Sequence, residues 1–499
     1  MKILIATPEA VPYAKTGGLA DVAGVLIKEY RRMGEYAFII MPLYRKIKEG
    51  DLPLKNTGIQ IKIPVGQDYI KGEVFSDQSS AYFIKCDKFF GRPELYGTSE
   101  GDYSDNASRF VFFSRGVFET CKALNFKPDI IHCNDWQTGL IPLYLKTLYG
   151  ADKFFKNSAT ILTIHNLGYQ GLFPSSELNL TGLGWELFNP EGIEFYGKVN
   201  FLKAGIISAD VLNTVSTTYA KEILNKEFGF GLEGLLRKRE KDLYGVMNGI
   251  DYEEWDPSKD TCIPEQYTHK DISGKALCKK KLIKTLFGIP DKQVIERIPI
   301  IGMVGRLAVQ KGLDLVLKAI DELLSLGVKL VILGKGDETF HTGFSKIAKK
   351  YKGKISVTIG FEESLAHLIY AGSDFFLMPS KYEPCGLGQL IAMRYGSIPI
   401  ARKTGGLADA IQDYDSLKSK GTGFLFSDYT PSAMLDAVKR SLCVYTEKER
   451  MQKMIRDTMK IDFSWNRSAK KYLELYNCAI KKRKSVMEKV ADNKYKSRT

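Results

Sequence analysis

The second half of the chain alternates short apolar runs with amphipathic stretches, and that alternation narrows the possible folds more than any other feature. Residues 298–304 are apolar and predict a strand, with Gly305-Arg306 as the turn that ends it. Residues 313–326 have helical periodicity, 328–333 predict a strand ending at Gly334-Lys335-Gly336, and 355–359 predict another, closed by Gly360. A short helix over 364–371, a strand over 374–378, a helix over 386–395 and a strand over 397–401 complete the series. Strands alternating with helices at this spacing form βα units on a parallel sheet. Ligands then bind beyond the carboxyl ends of the strands. The first half shows the same alternation with longer interruptions. Strands are predicted over 3–7, 37–41, 129–132 and 160–163, and hairpins over 55–90. Residues 173–194, rich in Gly, Pro and Asn, predict a long loop with the character of a lid. Residues 262–281 read as an irregular, charged linker, and 468–479 as an amphipathic helix.

Within this pattern one heptapeptide occurs twice. Lys-Thr-Gly-Gly-Leu-Ala-Asp stands at 15–21 and again at 403–409, each time between an apolar run and a helical one. A glycine pair at a strand-to-helix turn lets the backbone approach a ligand, and the helix start exposes N–H groups that favour an anion. At 499 residues the chain exceeds what one core supports, so two or three domains are expected. The net charge of +14 raises nucleic acid as a partner, but the lysines are spread along the chain. Their densest cluster, Lys481-Lys482-Arg483-Lys484, reads as a solvated end, so no nucleic-acid function is expected. A basic face suits steering of an anionic small substrate instead. No apolar run is long enough to predict a membrane span, and the run after Lys2 is broken at once by Pro8 and Glu9. Eight cysteines without a CxxC pair fit reduced thiols in a cytoplasm, and no His/Cys cluster in the sequence predicts a metal site.

The residues that carry chemistry follow predicted strands. Arg306 and Lys311 stand five positions apart after one strand, and a forked donor with a point charge suits a diphosphate. The alternative is a solvated loop with two surface cations. Glu383 precedes Cys385-Gly386-Leu387-Gly388, where a helix start can receive a phosphate and the carboxylate can accept sugar hydroxyls. Glu383 is equally readable as a plain helix N-terminal acid. His165-Asn166 and Asn134-Asp135-Trp136 follow two strands of the first half, while His132 reads as structural. Asp413-Tyr414-Asp415 resembles a metal-holding DxD but has no strand before it and reads as surface. Cys385 as a nucleophile lacks an activating histidine nearby in sequence.

Taken in order, these segments resemble the bacterial glycogen synthase and plant starch synthase family. The resemblance rests on Lys15-Thr16-Gly17-Gly18-Leu19-Ala20-Asp21-Val22, His132-Cys133-Asn134-Asp135-Trp136 and Thr163-Ile164-His165-Asn166-Leu167-Gly168-Tyr169-Gln170-Gly171. It continues through Val246-Met247-Asn248-Gly249-Ile250-Asp251, Gly305-Arg306-Leu307 with Gln310-Lys311-Gly312, Glu383-Pro384-Cys385-Gly386-Leu387 and the second glycine turn. It spans residues 1–478. Any one block is a weak signal; the ordered set is specific.

The resemblance implies an α/β chain of two Rossmann-like domains facing a cleft, the GT-B fold, with a C-terminal helix crossing back to the first domain. The expected boundaries are 1–250 for the acceptor-side domain, 251–465 for the nucleotide-sugar domain, 466–480 for the helix and 481–499 for a basic, disordered tail. The implied activity is transfer of glucose from ADP-glucose to the non-reducing end of an α-1,4-glucan with retention, without a metal or other cofactor. Catalytic roles fall on Arg306, Lys311, Glu383, His165 and Asp135. Donor contacts fall on Lys15, Gly17, Gly18, Asn166, Asn248, Phe361, Cys385, Gly386, Leu387, Gly388, Thr404, Gly405 and Gly406. Within that set Phe361 is placed to stack on adenine, and the turn at Thr404-Gly405-Gly406 to close over phosphate. Gly388 stands where family members often have threonine, and Phe361 where some have tyrosine. The alternatives are a transferase of the same fold using UDP-glucose or another acceptor, and a non-catalytic glucan-binding protein. A second glutamate eight residues after Glu383, usual in sucrose and lipid transferases of the wider group, is absent; Ile391 stands there.

Overall fold

Ile3, Leu4, Ile5 and Ala6 are fully buried, as expected of a central parallel strand covered on both faces. In the computed structural model, which describes residues 1–98, 100–288 and 297–496 and side chains of the last helix to residue 488, they form β1 (Lys2–Ala6). The chain divides into two compact units. The first comprises Met1–Val215, Ala220–Val246 and Trp465–Thr499, the second Ser216–Tyr219 and Met247–Ser464.

The first unit is built on a nine-stranded sheet. Its strands are β1, β2 (Tyr36–Pro42), β3 (Lys55–Val65), β4 (Asp68–Ser76), β5 (Ala81–Lys85), β6 (Ile130–Asn134), β7 (Ala159–Ile164), β8 (Val211–Thr214) and β9 (Leu243–Gly245). Their order across the sheet is β9-β8-β7-β6-β1-β2-β5-β4-β3. All neighbours are parallel except β3 with β4 and β4 with β5, the predicted hairpins. The chain leaves β1 toward β2 on one side and later returns to β6 on the other. This reversal is the topological switch point at which open α/β sheets bind ligands.

The second unit holds a six-stranded, wholly parallel sheet of β10 (Ile300–Val304), β11 (Lys329–Gly334), β12 (Ile355–Ile359), β13 (Phe375–Met378), β14 (Ile398–Arg402) and β15 (Phe424–Phe426). The order β12-β11-β10-β13-β14-β15 puts its switch point between β10 and β13. The helix Leu313–Ser325 buries Leu315, Val316, Ala319, Ile320, Leu323 and Leu324, the positions its periodicity predicts.

Three local expectations are corrected. Residues 262–281 are not a linker throughout: Ser273–Phe287 is a helix burying Cys278, Leu282 and Ile283. Its lysines masked the apolar stripe, and one of them, Lys275, is buried with its ammonium on the carbonyls of Ala371, Ser373 and Tyr395 at 2.9, 2.9 and 3.1 Å. The basic end does not begin as a disordered tail at 481. One helix runs Trp465–Lys496, straight through Lys481–Lys484; residues 497–499 lie outside the described residues. Strong helix formers and i,i+4 spacing outweigh charge repulsion there. Finally, 173–194 is not one featureless loop. It carries a short strand Leu172–Pro174, the turn of helix Leu178–Thr181 and short 3₁₀ turns.

The last helix belongs to the first unit, as a crossing-back helix requires. It brings Tyr472 and Tyr476, both fully buried, against the sheet. The Tyr476 hydroxyl meets His132 Nδ1 at 2.8 Å and the Tyr30 hydroxyl at 2.9 Å. His132 Nε2 lies 2.6 Å from Thr163 Oγ1, so this histidine is the structural one that its sequence predicted.

Candidate functional site

In the first unit, polar side chains gather just past β1, β6 and β7. Glu9 follows β1 and is 4% exposed. Its carboxylate accepts from the Tyr96 hydroxyl at 2.6 Å, the Thr16 hydroxyl at 2.6 Å, the Gly17 amide at 3.3 Å, and the Thr16 amide. Two amides of the first glycine turn thus donate to a carboxylate of the protein itself. A side chain added at Gly17 would meet open space. Lys15 is half exposed and pairs with Asp21 of the same heptapeptide at 2.7 Å.

Asp135 follows β6 with a φ of 55°, a left-handed conformation rare for a residue with a side chain. Burial is the main force on its carboxyl, with the Glu9 charge adding to it and backbone N–H groups of His165 and Asn166 opposing. Together they push its pKa up to about 7. The His165 amide donates to Asp135 Oδ1 at 2.7 Å. The imidazole Nε2 of His165 donates to Asn134 Oδ1 at 2.9 Å, which leaves Nδ1 as the lone-pair nitrogen. Burial lowers the His165 pKa to about 3, so the ring is neutral near pH 7. The structure therefore brings Asp135, His165 and Asn166 together.

In the second unit, the switch point between β10 and β13 opens into a pocket lined among others by Gly305, Arg306, Lys311, Pro379 and Ser380. Lys311 Nζ pairs with Glu383 Oε2 at 2.7 Å, and the Ser380 hydroxyl donates to the same oxygen at 2.9 Å. Gly312, at a φ of 70°, brings its backbone against Pro379, where a Cβ would lie 1.9 Å from the carbonyl oxygen. The Lys381 amide also donates to the Gln310 carbonyl at 2.9 Å. The loops after β10 and β13 are thereby locked to each other, with both predicted cations lining the pocket and Glu383 paired to one of them.

Around it, Asn248 is 5% exposed and its Oδ1 has no hydrogen-bond partner within the protein. Gly386 sits at a φ of 74° one residue before Leu387, and the helix Gly388–Arg394 starts there. At Gly388 a Cβ would lie 3.2 Å from the Phe376 ring and 3.4 Å from the Tyr370 hydroxyl, so those side chains already fill the space a larger residue would take. Burial pushes the Cys385 thiol up to about 12, which makes it inert as a nucleophile. Phe361 follows β12 and Gly360 and is 85% exposed, an isolated ring held out at the sheet's carboxyl edge.

The second glycine turn packs on the protein's own backbone. The Gly406 amide donates to the Glu383 carbonyl at 3.0 Å rather than standing open. A Cβ at Gly405 would lie 2.0 Å from the Glu383 carbonyl oxygen, and one at Gly406 2.0 Å from that of Cys385. This copy braces the 383–385 backbone, with Thr404 buried beneath it. Its aspartate, Asp409, receives the Thr218 amide and hydroxyl at 3.0 and 2.6 Å.

Sequence reasoning missed Glu9, Tyr96 and Ser380. Glu9 was findable, because it directly follows a predicted strand. Tyr96 stands in a stretch without periodicity, and only the fold brings it to Glu9. Asp413 of the apparent DxD accepts the Leu425 amide at 2.7 Å and pairs with Arg440, a structural role.

Comparisons with known proteins bear on the family. Residues 2–238 match the starch synthase catalytic domain family and 289–458 the glycosyl transferases group 1 family. The glycogen synthase of Thermodesulfovibrio yellowstonii is 46% identical, across 97% of this chain and 99% of that protein. That of Syntrophotalea carbinolica is 47% identical, across 96% and 99%. Among solved structures, the catalytic domain of starch synthase IV from Arabidopsis thaliana, bound to ADP and acarbose, superposes with a TM-score of 0.87 at 34% identity, covering 96% of this chain and 99% of that one. A sucrose-phosphate synthase from Thermosynechococcus elongatus shares the fold at a TM-score of 0.61 and 16% identity. With two α/β units and relatives this similar over nearly its whole length, the chain belongs to the glycogen synthase and starch synthase family of GT-B glycosyltransferases.

Proposed function

We propose that this protein transfers glucose from ADP-glucose to the non-reducing end of an α-1,4-glucan with retention, as a glycogen synthase of the cytoplasm. The observation that carries this reading is that Arg306 and Lys311 line the pocket at the second unit's switch point, with Glu383 paired to Lys311. In this proposal Arg306 and Lys311 neutralise the diphosphate as it leaves, and amides around Gly386, Leu387 and Gly388 hold its phosphate. The Lys311–Glu383 pair sets the cation against the carboxylate that binds glucose hydroxyls. The unpartnered Asn248 Oδ1 suits a donor hydroxyl, and the exposed Phe361 ring suits adenine.

From the first unit, Lys15 and the Gly17-Gly18 turn lie near the donor diphosphate and glucose. Asn166 takes part in donor binding, His165 lies at the anomeric carbon and Asp135 on the acceptor side. Neutral His165 cannot repel positive charge developing on the sugar ring. The donor C1–O bond breaks toward the diphosphate, and the acceptor O4 forms its bond to the same face of C1. The acceptor proton passes to the leaving phosphate oxygen. This front-face route needs no carboxylate nucleophile, unlike double displacement. The turn at Thr404-Gly405-Gly406 acts indirectly, by fixing 383–385.

Release of nucleoside diphosphate with glycogen as primer tests the donor. Faster release from ADP-glucose than from UDP-glucose is expected. The reverse preference would assign another donor, and glycogen binding without release from either would make the protein a glucan-binding module.

A further inference from the structure

His367 lies in the helix Glu363–Gly372, and its side chain is 3% exposed. Its ring stacks on Trp255 with centroids 4.1 Å apart and planes 13° from parallel. Nδ1 lies 2.8 Å from Asp260 Oδ2, an oxygen that also accepts the Tyr395 hydroxyl at 2.6 Å. A carboxylate offers only acceptors, so Nδ1 carries a proton, and in the neutral ring Nε2 presents a lone pair. That buried Nε2 has no hydrogen-bond partner in the protein. An orphaned buried acceptor is costly unless something binds it.

Two exposed carboxylates stand beside this ring. Oxygens of Glu254 and Glu363 and a ring nitrogen of His367 all lie within 4.8 Å of one another. Glu363 is one helical turn before His367 and so shares its face. Asp260, Cys262 and His367 form a second set under the same limit, but there Nδ1 is already engaged by Asp260. A histidine with one nitrogen donating to a carboxylate and the other unpartnered, beside two further carboxylates, has the arrangement of a metal ligand with its support.

We propose that His367 Nε2, Glu254 and Glu363 bind a divalent transition-metal ion of the zinc type, with Asp260 orienting the imidazole. An imidazole with two carboxylates suits zinc, nickel or cobalt and disfavours magnesium and calcium, which take all-oxygen sets. The exposed acids can turn inward to zinc distances of about 2.0–2.2 Å. The ion ties the segment around residue 254 to the helix Glu363–Gly372, about a hundred residues apart in sequence. It takes no part in the transfer reaction.

Titration of the tag-free chain with Zn²⁺ and Co²⁺, followed by calorimetry and tryptophan emission, tests this. One saturable Zn²⁺ per chain is expected, with Co²⁺ competing and quenching Trp255. Glu254→Gln with Glu363→Gln should weaken binding at least tenfold and abolish any zinc-dependent rise in melting temperature. Both positions are exposed, and circular dichroism checks that this variant keeps the parent fold. Cys262→Ser should bind as the parent does. Absence of saturable binding, unchanged affinity in the double variant, or loss of binding in Cys262→Ser would each overturn the proposal.

Discussion

In the proposed reaction Lys311 and Glu383 serve both stability and chemistry. The ammonium sits 2.7 Å from a carboxylate that is almost fully buried, so neither charge is left bare before substrate arrives. Lys311→Ala should lower kcat roughly 100- to 1,000-fold through lost stabilisation of the leaving group. It should also lower the melting temperature, because Glu383 is left unpaired. Retained turnover in steady-state assays would remove Lys311 from the mechanism. Asp135 makes a different prediction. Burial raises its carboxyl from the usual 3.8 to about 7, so the folded state holds a proton that the unfolded state has lost between those values. Its contribution to stability is therefore greatest below about pH 4 and falls as pH rises to 7. Asp135→Asn should gain stability relative to the parent over that range, by no more than a few kcal/mol, in denaturant melts at pH 4 and pH 7.

At the scale of elements, the repeated heptapeptide shows that identical sequence does not fix identical use. Both copies begin a helix after a strand, which strand–turn–helix patterning made legible. The difference between them comes from what packs against each turn, and no local sequence encodes that. Gly17 has an extended φ of −155° and open space, whereas Gly405 and Gly406 press on the backbone of 383–385. Gly406→Ala should therefore cost several degrees of melting temperature and displace Glu383. Gly17→Ala should leave thermal stability nearly unchanged. The helix Ser273–Phe287 escaped sequence reading for a related reason. Lysine there looked like solvated charge, yet Lys275 is buried on three carbonyls, and burial lowers its pKa to about 8. Lys275→Met would leave those acceptors unmet and should destabilise the protein by about 2 kcal/mol or more in denaturant unfolding.

On the scale of the whole chain, the second unit's sheet was readable almost strand by strand, because parallel strands buried on both faces are continuous apolar runs. The first unit was less so, since its interruptions at 87–106 and 173–200 lack a period and are ordered by tertiary contacts such as Tyr96 with Glu9. Residues following strands were the most legible part of the candidate site; His367 with Glu254 was illegible, because over a hundred residues separate the two. Acid should weaken the first unit. His132 and His165 both have pKa values lowered by burial from 6.5 to about 3, so unfolding takes up protons between those values. Their contribution is complete above pH 6.5 and falls as pH drops toward 3, opposing the single Asp135 term. Melting temperatures at pH 7 and pH 5 should show the loss. The most direct test of the proposed activity is NMR of a maltooligosaccharide incubated with ADP-glucose and the purified protein. Extension by one glucose at a time, α-1,4-linked at the non-reducing end, is the predicted result; a β linkage, or free glucose with no extension, would contradict it.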